Sequence, residues 1–135
     1  MATFSKFNPF VEAVAEKVHN LGSDQITVAL TNTAPTASNA VLADITEISY
    51  TNLSSRNITT TSSSQTSGTY KLVLADIVLT ASGSVGPFRY VVLYNSTAAS
   101  GNLIGYYDYG SSISLASGDT FTVDFDATNG VLTIA

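Results

Sequence analysis

Beyond Gly22 the apolar residues of this chain recur at every second position, in short runs broken by Gly, Asn, Asp, Ser and Pro. Alternation with period two sends successive side chains to opposite faces of an extended chain, so each run selects a β-strand with one face buried. Ile26, Val28 and Leu30 alternate with Thr27, Ala29 and Thr31; Phe88, Tyr90, Val92 and Tyr94 share a face; Phe121, Val123 and Phe125 do the same. Weaker runs lie at 45–50 and 103–109. In the long run 69–80, Tyr70, Leu72 and Leu74 give way to Ile77 and Leu79 around Asp76. That phase slip predicts either a bulge or a strand shared between two sheets. Asn129-Gly130 between two alternating runs predicts a closing hairpin with 131–134. About eight strands at such spacing predict a mainly β fold, an antiparallel β-sandwich or jelly roll.

One segment breaks the pattern. Phe10, Val14 and Val18 recur at i, i+4 and i+8, with Val11, Ala15 and Leu21 beside them, and predict a single N-terminal amphipathic helix. Asn8 is the expected N-cap, Pro9 suits the first turn, and Gly22 is the expected stop. Glu12 and Glu16 lie toward the positive end of the helix, and Lys17 and His19 toward the negative end. The expected division is an arm and helix over 1–22 and one β domain over 23–135. Phe4 and Phe7 precede the helix, and two readings stay open. Arm and helix cover an open face of the β body, or Phe4, Phe7, Phe10 and Val14 dock on another chain. Residues 32–40 read as a long loop. The Ser- and Thr-rich stretch 54–68 reads either as a flexible loop or, around Ile58, as an exposed hairpin.

The side-chain inventory excludes several function classes. The chain has no cysteine and one histidine, so disulfide frameworks and thiolate metal sites are out, and Ser–His catalysis would rest on His19 alone. Formal charge is −5, and the five cations, Lys6, Lys17, Arg56, Lys71 and Arg89, are scattered, which argues against nucleic acid as a partner. No run approaches the ~20 apolar residues of a membrane span. Glu12, Glu16 and Lys17 interrupt the first apolar stretch, so no export signal is expected either. Charged residues make up only 11%, against about 25% in an average domain, and a charge-poor hydroxyl-rich surface suits burial between subunits.

Three small constellations remain. Asp119, Asp124, Asp126 and Asn129 offer oxygens to a hard cation, but Asp at such turn positions commonly bonds its own backbone; the expectation is no metal and no cofactor. Tyr106, Tyr107 and Tyr109 around Asp108 form either a glycan platform or a packed interface. The Asn52, Asn57 and Asn95 sequons arise readily by chance in so Ser/Thr-rich a chain.

The segments FSKFNPFVEAVAEKVHNLG, VALTNTAP, VGPFRYVVLYN, LIGYYDYG and SGDTFTVDF with GVLTIA resemble small structural proteins of tailed bacteriophages. The likeness runs over essentially the whole chain and is carried by structural motifs, so it implies a role and no active site. It implies a non-enzymatic capsid decoration, or cement, protein on the virion exterior. Such a protein partners the major capsid protein, reinforces capsomer joints, and forms trimers or dimers. The alternatives are a tail- or fibre-associated module that binds host-surface glycans through the tyrosines, and a tail-tube or head-completion component.

Overall fold

The computed structural model describes residues 2–135. The chain is mainly β, and its described residues form ten strands in three antiparallel groups and one α-helix. The largest sheet has the order β1-β8-β7-β2-β3, built from β1 (Phe4–Lys6), β2 (Ile26–Thr31), β3 (Asn57–Ile58), β7 (Val85–Asn95) and β8 (Leu103–Leu115). A three-stranded sheet, β10-β5-β4, uses β4 (Thr60–Thr66), β5 (Thr69–Leu74) and β10 (Leu132–Ile134). β6 (Ile77–Thr80) and β9 (Thr120–Val123) form a separate pair.

The main core lies between the five-stranded sheet and the two smaller ones. Val28 and Leu30 of β2, Val91 and Leu93 of β7 and Ile104 of β8 meet Leu72 and Leu74 of β5, Leu79 of β6 and Val123 of β9 there. The opposite face of the large sheet is also apolar. Ala29, Val92, Tyr94 and Leu103 point that way and are sealed by Phe7 and Ile45 into a second, smaller cluster. All six residues of β2 are therefore buried. Thr27 and Thr31 tolerate this because their hydroxyls are bonded, Thr27 to Asn57 and Ser96 and Thr31 to the Thr33 backbone.

This second buried face corrects the expectation of a strand at 45–50. The segment forms a 3-10 turn at Leu42–Asp44 and then irregular chain, because its task is to lay Ile45 over the outer face and turn past the sheet edge. There it stands in for the missing length of β3. Ile48 N–H donates to Leu30 C=O, Leu30 N–H donates to the Tyr50 hydroxyl, and Arg56 Nη1 donates to Val28 C=O at 2.6 Å. The Arg56 guanidinium also lies 3.6 Å from the centre of the Tyr50 ring. The edge of β2 is thus closed by the Ile48 backbone and the Tyr50 and Arg56 side chains, which removes it as a template for pairing.

The phase slip at Asp76 is a strand shared between two sheets: β5 ends at Leu74, and β6 continues with a different partner. The C-terminal segment follows it back. β9 pairs Val123 with Ile77, and β10 pairs Leu132 with Leu72. The expected hairpin between 121–125 and 131–134 is therefore not formed. The Asn129-Gly130 turn is an excursion, and Asp76 Oδ1 accepts the Phe125 N–H at 2.8 Å at the interruption. The Ser/Thr-rich stretch resolves into two parts. Ile58 is buried on β3 beside Ile26, and β4 forms a hairpin with β5. Its two-residue turn, Ser67 and Gly68, has φ of 51° and 85°, as the tight hairpin turns that match strand twist require.

At the N-terminus the helix α1 (Asn8–Ala15) is shorter than the periodicity implies, and its ends differ from expectation. Phe7, not Asn8, holds the N-cap position, extended and without a side-chain bond; Asn8 N–H donates instead to Ala37 C=O at 2.8 Å. Phe7 takes the cap because its ring is locked in the outer cluster. The helix stops at Lys17, at φ 68°, where Val18 N–H reaches Ala13 C=O and Lys17 N–H reaches Val14 C=O. That is a Schellman closure with lysine where glycine is usual, so Gly22 plays no part in it.

The arm itself is a strand of the large sheet. Phe4 pairs with Tyr107 and Lys6 with Gly105. The Phe4 ring lies across Gly105 so closely that a β-carbon there would sit 2.2 Å from it and 2.8 Å from Ser5 C=O. Gly105 is what lets the arm lie down. Phe7 is completely enclosed, so Phe7→Ala is expected to cost about 3–5 kcal/mol in denaturant unfolding. A loss under about 1 kcal/mol would show the arm to be dispensable.

Candidate interaction surface

The groups that could carry chemistry are occupied with holding the fold. His19 lies beyond the helix, not in its last turn, and is buried with its ring 5.1 Å from that of Phe10. Asn95 sets its protonation. Asn95 Oδ1 accepts the N–H groups of Thr97 and Ala98, so the amide nitrogen must face Asp24 Oδ2 at 2.7 Å and His19 Nδ1 at 3.1 Å. An amide N–H aimed at Nδ1 requires a neutral ring with its proton on Nε2, and Nε2 has no partner among the described residues. Burial accordingly pushes the His19 pKa down, outweighing the nearby Asp24 carboxylate.

Asp108 is held by Arg89 in a two-pronged pair at 2.8 and 3.0 Å, and also accepts the Gly110 N–H. The Arg89 hydrogen bonds hold its carboxyl below the usual range. The pair is half open to water, so it fixes geometry more than it stabilises. Asp119 accepts the Ala116 N–H, and Asp126 accepts those of Thr128 and Asn129 together with the Asn129 amide. These are the turn-forming bonds, and among the described residues no three His, Asp or Glu side chains gather as a metal site would require.

The tyrosine platform does not form. Strand alternation on β8 sends Tyr106 to the outer face, where its ring meets Phe7 at 5.1 Å. Tyr107 and Tyr109 go to the inner face, against Phe4, Phe121 and Phe125. Burial pushes both inner phenols up. The three rings pack two different cores and share no surface.

Part of what the fold leaves open is apolar. Two grooves, of about 510 and 570 Å³, share Val14 and Ile134 and together make a trough between β1, α1 and β10. Phe4, Phe10, Val11, Ala15, Leu132 and Val131 line the first part; Val18, Leu21 and Tyr70 extend it on the far side of Val14. Among the described residues, large apolar side chains are exposed at four positions, Val11 (55%), Val78 (53%), Ile134 (42%) and Val18 (38%), and all but Val78 are on the trough. Of the arm residues singled out in the sequence, Phe7 and Phe10 are buried in this chain's own cores. Phe4 and Val14 remain half-buried in the trough wall.

No family model, curated protein or solved structure matches this chain. Sequence reasoning missed Val11 and Ile134. Val11 sat beside the predicted helix face and was counted with it, and Ile134 was paired with the wrong strand. The usable signal was the width of the apolar stripe on α1, which is broader than a short helix can bury.

The histidine network makes a checkable statement about acid. With the folded pKa below the usual 6.5, the unfolded chain binds the extra proton first, so stability is complete above that value and falls as pH drops below it. Asp44, Asp108 and Asp126, all held low by hydrogen bonds, add a second loss at pH below about 4. Melting temperature followed from pH 8 to 3 should therefore fall in two stages. The first should vanish in His19→Gln; its persistence would assign it elsewhere.

Proposed function

We propose that the protein is a structural component of a tailed-bacteriophage virion, a capsid decoration protein that binds the outside of the shell and reinforces joints between capsomers. The observation that carries this reading is the trough, an apolar surface that gathers three large exposed hydrophobic side chains, Val11, Val18 and Ile134. A surface of that kind works by contact, and many modest contacts on a repetitive lattice add up to firm attachment.

The motifs that resemble phage structural proteins support the same reading through their positions. VALTNTAP, VGPFRYVVLYN and LIGYYDYG supply the three central strands β2, β7 and β8, while FSKFNPF and GVLTIA supply the two walls of the trough. His19, Asp108, Asp119 and Asp126, the groups nearest to catalytic types, are engaged in packing and turns, which supports a non-enzymatic role. A glycan-binding tail module loses its main support with the separation of Tyr106 from Tyr107 and Tyr109.

Three-dimensional reconstruction of purified particles with and without the protein tests the proposal. Regularly spaced density of this fold over capsomer joints on the shell exterior is the expected difference. Density confined to the tail, or at the neck in place of the shell, would overturn it. Deleting residues 1–7 is a poor probe of attachment, because it removes β1 and Phe7 and so attacks the fold itself.

A further inference from the structure

The Asn129-Gly130 pair closes no hairpin, and local packing explains why it is there. The fold requires the glycine. Gly130 sits at φ 79°, and a β-carbon there would lie 2.6 Å from Lys71 Cγ and 2.7 Å from the Leu72 carbonyl oxygen, the second of them backbone that cannot give way. The turn also uses the polar side chain before it. Asn129 Nδ2 donates to Asp126 Oδ2 at 2.9 Å, while the Thr128 and Asn129 N–H groups donate to Asp126 Oδ1. Packing has therefore joined the two residues whose junction is chemically the least durable in a polypeptide. An asparagine loses its amide when the backbone nitrogen of the next residue attacks its side-chain carbonyl carbon, and glycine, with no side chain, leaves that approach open. Of the chain's asparagines, Asn129 alone precedes glycine, and it is exposed. Asn95, followed by Ser96, comes next in reactivity, but it is fully buried with both ends of its amide bonded.

We propose that Asn129 is a site of spontaneous deamidation and that Asp126 is the latch that slows it. In the first step Gly130 N gives up its proton to solvent and bonds to Asn129 Cγ. The Cγ–Nδ2 bond breaks, ammonia leaves, and a cyclic succinimide closes. Water then opens the ring at either carbonyl, giving aspartate or isoaspartate, and no oxidant or reductant is consumed. The turn opposes both halves of the attack. The Gly130 N–H, whose proton must go, is held by Asp126 C=O at 3.0 Å, and the Asn129 amide is pinned to the carboxylate of the same residue. Conversion then undoes the latch, because a carboxylate replaces the Nδ2 donor and faces Asp126 with like charge. The isoaspartyl form also adds a backbone carbon just ahead of Val131, whose N–H donates to Leu72 C=O. β10 follows at once, a three-residue edge strand bonded only to β5, so it is the element that conversion loosens. The proposal concerns the covalent chemistry of the purified chain and stands or falls separately from the shell-binding reading.

Peptide mapping by mass spectrometry of the folded full chain, held in mildly alkaline buffer, tests it. Conversion is expected first in the peptide carrying Asn129, as a mixture of aspartyl and isoaspartyl forms, at least about tenfold slower than in the same chain unfolded in urea. Asp126→Asn keeps an oxygen for the Thr128 and Asn129 N–H groups but places an amine where the carboxylate receives the Asn129 amide. It should speed conversion at Asn129 at least about tenfold over the folded wild type, with unchanged hydrogen exchange in β2 and β7 showing that the fold persists. Asn129→Asp, which fixes the charged product, should raise exchange at Leu132–Ile134 and leave β2 and β7 alone. Conversion that begins at another asparagine overturns the proposal. So does a folded wild type as reactive as the unfolded chain, or an Asp126→Asn chain that converts no faster than wild type. Unchanged exchange in Asn129→Asp overturns the effect on β10.

Discussion

A sheet that is apolar on both faces governs this molecule. β2, β7 and β8 carry more hydrophobic side chains than one core can take, so the outer face needs a cover as much as the inner one. At roughly 25 cal/mol for each Å² of apolar surface removed from water, leaving Ala29, Val92, Tyr94 and Leu103 open would forfeit several kcal/mol. The chain meets this need with pieces that are not regular elements: Phe7 from the arm and Ile45 from a loop. The placement of the N-terminal helix follows, since α1 begins at the residue after Phe7 and is aimed by that anchor.

The same constraint explains why an apolar trough stays open. The helix is tethered at its start, stopped early by Lys17 and only two turns long, so it buries Phe10 but not its whole apolar stripe. β10 arrives as a short edge strand on the neighbouring sheet, and the space between the two is the trough. Groups that in another fold would make a site are spent on closing this one. His19 and Asn95 tie the post-helical turn to the end of β7, Tyr50 and Arg56 close the edge of β2, and Arg89 with Asp108 pins β7 to β8.

Local signals in the sequence reveal the parts of the fold that depend on neighbours along the chain. Period-two alternation marked β2, β7, the start of β8 and β9, and the i, i+4 spacing marked α1. Features set by distant partners were hidden. β1 is a three-residue Phe-Ser-Lys strand with no periodicity of its own, and it exists because Gly105 leaves room for the Phe4 ring. The pairing of β10 with β5 depends on a break at Asp76 whose consequence lies some fifty residues away in the chain. The helix end was misread because lysine carries no signal for the left-handed conformation that it adopts. The trough was half legible: Phe4 and Val14 were found, Val11 and Ile134 were not, and of the two other candidate docking groups Phe7 is buried in the second core and Phe10 in the main one.

The central idea is that the apolar surface left over by a doubly covered sheet is the surface on which this protein works. Hydrogen exchange, compared between dilute free protein and protein assembled on particles, addresses it most directly. Added protection over β1, α1 and β10, with the β4–β5 turn at Ser67 and Gly68 unchanged, is the expected result. Protection gained at that turn or in the 96–101 loop, with α1 and β10 exchanging as before, would contradict it.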